Sequence, residues 1–143
     1  MAGPPSWTRT GKSIVLPAEY SDAVLLYTVD SRTGQVGKRA ILGDGTEGDY
    51  SAARLSPNGR SVVFVGPRPL GGYALYCQPP AGGRARVVCN CGPASWSADS
   101  RVLLFENARR QLELRVLGDG RRRTIAISAD KPISGEGPPV LQP

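Results

Sequence analysis

A nine-residue segment, made of a polar turn followed by a short apolar run, occurs three times in this chain. The copies begin at Thr8, Ser56 and Ser97 and align without a gap. Each follows a large apolar residue, here called the anchor, and the anchors are Trp7, Leu55 and Trp96. A repeat of about 40 to 45 residues is what a propeller blade of four strands produces. We therefore expect an all-β fold, a propeller-type array of about three four-stranded antiparallel blades, partial or open.

The turn of the second copy has residue types that favour a tight β-turn. Pro57 fixes φ at the first central position and Asn58 is tolerated at the second, while Gly59 readily adopts the left-handed conformation. The hydroxyl of Ser56 is placed to bond the turn backbone. Because Ser100 takes the glycine position in the third copy and Arg9 takes the proline position in the first, we expect those two turns to be less rigid.

The apolar run of each copy is continuous, and the runs are Ile14–Leu16, Val62–Val65 and Val102–Phe105. A strand with one wet face alternates apolar and polar residues, whereas a continuous run indicates burial on both faces. Stacked blades cover both faces of their middle strands, so the runs favour a propeller over an ordinary meander.

The repeat also predicts the domain organisation. We expect one propeller-like domain over residues 1–130, followed by a Pro/Gly-rich tail at 131–143. The tail contains Leu141 in a segment like the opening of the first and third copies, and it is either the first strand of a fourth copy or a disordered terminus. The predicted repeats cover residues 3–50, 51–91 and 92–130.

Further residues of the repeat carry a resemblance to a known family. They are Leu55–Gly59 with Phe64, Leu75–Tyr76 with Gly82–Gly83, and Trp96–Ser97 with Asp99 and Phe105. The pattern resembles the WD-like propeller repeat of TolB-like proteins and covers about 125 of the 143 residues. The first copy departs from it, because it lacks the proline, the aspartate and the phenylalanine.

The resemblance implies a non-catalytic binding or scaffold module for protein–protein interaction, since the repeat is specific for a fold rather than an activity. Two other functions fit the same repeat. One is the accessory propeller of a prolyl-oligopeptidase-type hydrolase, and the other is a sensor module of a bacterial regulator.

Net charge and targeting signals give limited information about the partners and the compartment of the protein. The net charge of +6 favours anionic partners, but Arg121–Arg123 is the one basic cluster and is too short for a nucleic-acid site. No nucleic acid is therefore expected. The chain shows no membrane-spanning run and no secretory signal. The compartment stays open, with a cytoplasmic location by default and a periplasmic one if a leader is missing.

Two glycine motifs invite a nucleotide-binding interpretation that their context does not support. Thr10–Ser13 resembles part of a phosphate loop, but Ser6 stands where that motif needs glycine, and a strand is expected to follow. Gly43–Gly48 matches Gly-x-Gly-x-x-Gly, yet no amphipathic helix follows it. We interpret both as loops, and we predict no cofactor.

Carboxylates and cysteines are the candidate metal ligands of the chain. The Gly43–Gly48 loop and its flank contain three carboxylates that could bind calcium, namely Asp44, Glu47 and Asp49, but their spacing is not that of an EF-hand.

The cysteines are not predicted to pair across the second hairpin. If this hairpin turns at Ala81, then Cys77 lies opposite Ala85 and Cys89 opposite Tyr73. Cys77, Cys89 and Cys91 cannot complete a four-ligand zinc site alone, so we predict reduced thiols and no metal.

The chain has few candidate catalytic residues, because it contains no histidine. No Ser-His-Asp or Cys-His arrangement can be assembled, so we predict no catalytic residues and no enzyme activity.

Three blades cannot close a ring, since propellers close with about four to eight. Either the chain is part of a longer propeller, or two copies associate. In both cases the outer faces of the first and last blades are the expected partner surfaces.

Overall fold

The predicted blades appear as three separate sheets. A computed structural model describes residues 4–125 of the chain, and within that range it contains twelve β-strands and no helix. The strands are β1 Ser6–Trp7, β2 Ser13–Glu19, β3 Val24–Asp30, β4 Val36–Leu42, β5 Ser51–Leu55, β6 Val62–Pro67, β7 Tyr73–Gln78, β8 Arg86–Cys89, β9 Ala94–Trp96, β10 Val102–Glu106, β11 Leu112–Val116 and β12 Arg122–Ile125.

Each sheet has four strands in chain order, and every described pairing is antiparallel. We call the sheets blade 1 (β1–β4), blade 2 (β5–β8) and blade 3 (β9–β12). The all-β fold of three four-stranded antiparallel sheets is confirmed. The predicted first strand of a fourth copy near Leu141 lies outside the described residues.

The polar turn of the repeat is closed by the same side-chain bonds in different blades. In blade 2, Ser56 Oγ donates to Asn58 Oδ1 at 2.8 Å and accepts from the Ser61 amide at 3.0 Å. In blade 3, Ser97 Oγ donates to Asp99 Oδ1 at 2.6 Å and accepts from the Val102 amide at 2.9 Å. These bonds explain the hydroxyl that follows the anchor and the Asn or Asp two positions after it in blades 2 and 3.

A left-handed residue follows in all three turns, with φ of 68° at Gly11, 71° at Gly59 and 63° at Ser100. A side chain is disfavoured in this conformation, so Ser100 is strained where the two glycines are not. The Ser100 hydroxyl nevertheless accepts a hydrogen bond of 2.9 Å from the Asn58 amide. It thereby links the turn of blade 3 to the turn of blade 2.

The apolar core lies between the blades and consists of two clusters. The cluster between blades 1 and 2 includes Val62 and Phe64, and the cluster between blades 2 and 3 includes Val63 and Val65. Consecutive residues of β6 therefore point to opposite neighbours, and the whole strand is buried. The continuous run of the second copy is covered on both faces, as the sequence predicted.

The cluster between blades 1 and 2 is centred on three aromatic rings. Phe64 lies 5.6 Å from Tyr76 and 5.9 Å from Tyr50, measured between ring centroids. The hydroxyl of Tyr76 donates to the carbonyl oxygen of Pro67 at 2.8 Å, which satisfies its buried polar atom. Gly66 makes room for the Tyr50 ring, because a Cβ at this position would lie 2.7 Å from Tyr50 Cε1.

The contact between blades 2 and 3 is less apolar. Arg115 lies there with its side chain 12% exposed, its guanidinium carbon 5.3 Å from the Phe105 ring centroid and Nη2 2.9 Å from Glu113 Oε1. Its Nη1 donates to the carbonyl oxygen of Val88 on blade 2. The side chain thus joins the two blades through charge, a ring contact and a backbone bond.

Blade 1 differs from blade 2, because only one side of its second strand is fully covered. In β2, Val15 is buried against blade 2, whereas Ile14 and Leu16 on the opposite side are half-buried. Burial on both faces is therefore correct for β6 and wrong for β2. The physical reason is that no described blade packs against the far side of blade 1.

Candidate interaction face

The side of blade 1 turned away from blade 2 presents a continuous set of apolar residues. Cross-strand pairs place them on one face, because Trp7 lies opposite Ile14 and Leu25 opposite Ile41. We call this set the outer face of blade 1. Its members are Trp7, Ile14, Leu16, Leu25, Tyr27, Val29 and Ile41.

Water reaches every residue of the outer face. Trp7 is 61% exposed and Ile41 is 60% exposed, and the other five residues are half-buried. Scattered apolar residues are normal on a protein surface, but contiguous apolar patches mark interaction sites. The outer face is therefore the candidate functional surface of the described chain.

The repeat shows what kind of surface this is. Trp7, Ile14 and Leu16 occupy the same positions in blade 1 as Leu55, Val62 and Phe64 occupy in blade 2. In blade 2 those residues pack against blade 1, and Val62 and Phe64 are fully buried there. The outer face thus has the positions and the apolar character of a blade face that a preceding blade covers.

The opposite end of the array is the side of blade 3 turned away from blade 2. Leu104 lies on this side and pairs with Leu114, and Val102 pairs with Val116. Leu104 is buried, while the other three residues are half-buried. Leu104 takes the repeat position of Val15 and Val63, each of which packs against the blade that follows its own.

The two glycine motifs lie in loops. Thr10 and Gly11 lie in the turn between β1 and β2, and Ser13 begins a strand, as expected from the sequence. Gly43–Gly48 lies in the connection from β4 to β5, so this motif also precedes a strand rather than a helix. Neither loop therefore provides the helix N-terminus that binds phosphate in nucleotide sites.

One carboxylate of this connection, Asp44, is engaged by protein partners. Asp44 Oδ1 accepts hydrogen bonds from the Tyr50 hydroxyl at 3.1 Å and from the Thr46 amide at 3.0 Å. Burial raises the pKa of Asp44, but these hydrogen bonds outweigh it and the pKa lies below its ordinary value. Within residues 4–125, no three His, Cys, Asp or Glu side chains are grouped closely enough to hold a metal ion.

The cysteines correct one prediction. Cys89 and Cys91 form a disulfide, so the expectation of reduced thiols is wrong for this pair. Their Cα atoms lie 5.3 Å apart, within the range of about 4.4–6.8 Å that a disulfide spans. Cys77 is a free thiol, and burial raises its pKa.

The strand pairing around these cysteines also differs from the prediction. Between β7 and β8 the pairing is shifted, and a bulge at Leu75 and Tyr76 shifts it once more. Cys77 and Cys89 are not opposite each other, as expected. The observed pairs are Cys77 with Arg86 and Cys89 with Leu75, in place of Ala85 and Tyr73.

The arginines of the basic cluster lie at the surface, at the start of β12. Arg121 forms an exposed ion pair with Asp119 in the turn before β12, and Arg122 and Arg123 lie on that strand with exposed side chains. In the part of the chain that the structure describes, no helix is long and apolar enough to cross a membrane.

Comparison with known proteins yields structural neighbours only. No protein-family model matches the chain, and no curated protein matches it. Among solved structures, TolB from Acinetobacter baumannii superimposes with a TM-score of 0.65 and 20% sequence identity, over 89% of this chain. The fold is that of a TolB-like β-propeller.

Two other neighbours of this TolB-like propeller confirm the architecture. A protein assigned as TolB from Agrobacterium tumefaciens matches 89% of the chain with a TM-score of 0.60 and 18% identity. One assigned as a 6-phosphogluconolactonase from Bacteroides fragilis matches 92% with a TM-score of 0.53 and 16% identity. Identities this low establish the fold alone. The chain spans 32% of the Acinetobacter TolB chain and 46% of the Agrobacterium chain.

Proposed function

We propose that this chain is a non-catalytic binding module whose outer face of blade 1 docks another propeller blade, contributed by a second copy of the chain. The observation that supports this is the positional match between Trp7, Ile14 and Leu16 and the buried residues Leu55, Val62 and Phe64. A surface with the chemistry of an inter-blade face is best covered by a blade.

Each copy of the chain carries both halves of such a contact. The outer face of blade 1 corresponds to a face that meets a preceding blade, and the Leu104 side of blade 3 corresponds to a face that meets a following blade. A head-to-tail contact between unlike surfaces closes into a ring when the rotation permits. Two copies would together carry about six blades, within the range of closed propellers.

A binding role fits the residues better than catalysis does. The chain has no histidine, which removes the usual general base of acyl-transfer sites. Its carboxylates near the surface, such as Asp44, Asp99 and Asp119, are engaged in turns by hydrogen bonds from backbone amides. The likeness to a protein assigned as a 6-phosphogluconolactonase concerns the fold, and these side chains give no separate support for that activity.

The proposal is tested by light scattering after gel filtration over a range of concentrations. Wild-type protein is expected to reach twice the 15.1 kDa mass of the chain, and Trp7→Glu is expected to stay at 15.1 kDa because a charge cannot be buried in the contact. Leu70→Glu is the matched control, since Leu70 is 94% exposed in a turn outside the outer face. This control should associate like wild type.

Either of two results would overturn the proposal. One is a wild-type mass of 15.1 kDa at every concentration. The other is a dimer that Trp7→Glu and Leu70→Glu leave equally intact, since the contact would then lie elsewhere on the surface.

A further inference from the structure

A cleft opens between blades 1 and 2 beside the turns that contain Thr8 and Asn58. Its volume is about 360 Å³. Its walls are aliphatic, with Val15 and Leu26 from blade 1 and Leu55 from blade 2 among the lining residues. No aromatic ring lines it among the residues that the structure describes. The cleft is separate from the outer face of blade 1, because Val15 and Leu26 point toward blade 2.

The repeat explains why this cleft exists. The anchor of blade 3 is Trp96, whose ring packs against the cluster between blades 2 and 3 and donates from Nε1 to the Arg54 carbonyl oxygen at 3.2 Å. The anchor of blade 2 is Leu55, which packs at the matching place between blades 1 and 2. Leucine is much smaller than tryptophan, so space is left unfilled beside it.

Two of the polar side chains at the cleft, Arg9 and Thr28, have no protein partner among the described residues. Arg9 is exposed and lines the cleft, and no residue in the range 4–125 forms an ion pair with it. Thr28 also lines the cleft, and its hydroxyl makes no hydrogen bond within the described residues. A cation and a free hydroxyl beside an aliphatic cavity match a ligand with an apolar body and an anionic end.

We propose that this cleft binds a small aliphatic carboxylate, with its hydrocarbon chain between Val15, Leu26 and Leu55 and its carboxylate on Arg9. The volume lies at the lower end of the range of about 300–1,000 Å³ that small-molecule sites occupy. Aliphatic walls favour a hydrocarbon chain over a stacked ring, and an arginine binds a carboxylate with two parallel hydrogen bonds. The net charge of +6 also favours the approach of anions.

The test is calorimetric titration with octanoate, with octanol as a probe of the same chain length and no charge. Wild-type protein is expected to bind octanoate more tightly than octanol. Arg9→Gln should weaken octanoate binding about tenfold, the effect of losing a hydrogen bond to a charged group, and should leave octanol binding unchanged. Leu55→Trp should abolish the binding of both probes, because the larger ring fills the cleft as Trp96 does between blades 2 and 3.

A measurement on wild-type protein keeps the test independent of whether Leu55→Trp folds. Octanoate should shift the methyl resonances of Val15, Leu26 and Leu55 and leave those of Leu16 on the outer face unmoved. The proposal is overturned if octanoate does not bind, if Arg9→Gln changes both probes alike, or if the shifts appear at Leu16 rather than in the cleft. None of these results depends on the oligomeric state.

Discussion

The indole Nε1 of Trp96 donates a hydrogen bond of 3.2 Å to the backbone carbonyl oxygen of Arg54, and so joins the first strand of blade 3 to the first strand of blade 2. The side chains of the anchors of blades 1 and 2 make no such hydrogen bond between blades among the described residues. Trp7 is largely exposed to water, and Leu55 lies beside an unfilled cleft. The same position of the repeat therefore lies at a surface in blade 1, beside a cavity in blade 2 and in a filled contact in blade 3.

Replacing Trp96 by phenylalanine tests the value of that bond. Trp96→Phe keeps an aromatic ring in the contact but leaves the Arg54 carbonyl oxygen without its donor, so the free energy of unfolding should fall by about 1–2 kcal/mol. The measurement is equilibrium unfolding in urea. Tyr73→Phe is the control, because its ring is exposed, lies outside the outer face of blade 1 and should change stability by less than about 0.5 kcal/mol. Equal losses in the two variants would contradict this role of Trp96.

A second prediction concerns the close approach of Gly66 to the Tyr50 ring. Gly66→Ala would place a methyl group 2.7 Å from Tyr50 Cε1 inside the aromatic cluster, so overpacking should lower the free energy of unfolding by about 1–3 kcal/mol. Gly37→Ala is the control, since its nearest neighbour would be the Thr28 carbonyl oxygen at an ordinary 3.6 Å. Thermal unfolding of both variants decides the question, and a neutral Gly66→Ala would show that the ring moves aside freely.

Most strands could be predicted from the sequence, because the apolar runs that form them recur in each copy of the repeat. The sequence predicts a strand over Ala23–Val29 and the structure has Val24–Asp30, a difference of one residue at each end. For the last strand of the second copy the sequence predicts Arg84–Val88, whereas β8 spans Arg86–Cys89, so Arg84 and Ala85 lie outside it. Gly82 and Gly83, with φ of 98° and 110°, extend the turn before it.

The polar contact between blades 2 and 3 could not be predicted from the pattern. In β11 the sequence alternates Leu112, Leu114 and Val116 with Glu113 and Arg115, which suggests that the charged residues face water. In the structure Glu113 and Arg115 face blade 2 as an ion pair, with Glu113 buried and Arg115 half-buried. Period-two alternation separates the two faces of a strand, but it does not identify the face that another blade covers.

The cleft could in part have been found from the sequence. Its cause, the small anchor Leu55 between the large anchors Trp7 and Trp96, is visible in the alignment of the three copies. The positions of Arg9 and Thr28 beside it depend on how blades 1 and 2 pack. Contacts between blades are set by side chains distant in sequence, and a repeat pattern does not contain that information.

Stability at alkaline pH should depend on Tyr50. Burial, together with the hydrogen bond and charge of Asp44, raises the pKa of Tyr50 from 10.0 to about 12. The unfolded chain therefore loses this proton first, so the stabilising contribution of Tyr50 is present below pH 10.0 and is lost as the pH rises toward about 12. Urea unfolding across this window should show a shallower decline for Tyr50→Phe than for wild type.

The control for this decline is Tyr73→Phe. Tyr73 is 53% exposed, so its removal should leave the alkaline loss of stability as steep as in wild type. If Tyr50→Phe and wild type lose stability in parallel, the Tyr50 hydroxyl is not the group responsible.

The cysteines give a prediction of thiol reactivity. Without reductant, the native protein should show one thiol per chain, that of Cys77, and it should react slowly because burial raises its pKa. After unfolding and reduction, all three cysteines should react. Absorbance titration with an aromatic disulfide reagent measures both numbers. Three reactive thiols in native, unreduced protein would contradict the bond between Cys89 and Cys91.

The claim that the outer face of blade 1 docks another blade is tested most directly by the fluorescence of Trp7. In Trp96→Phe this indole is the only tryptophan of the chain, so its emission reports the outer face alone. As protein concentration rises, the emission should shift to the blue, in step with the mass from light scattering, because docking removes the ring from water. Emission that stays at the wavelength of a solvated indole while the mass increases would contradict the claim.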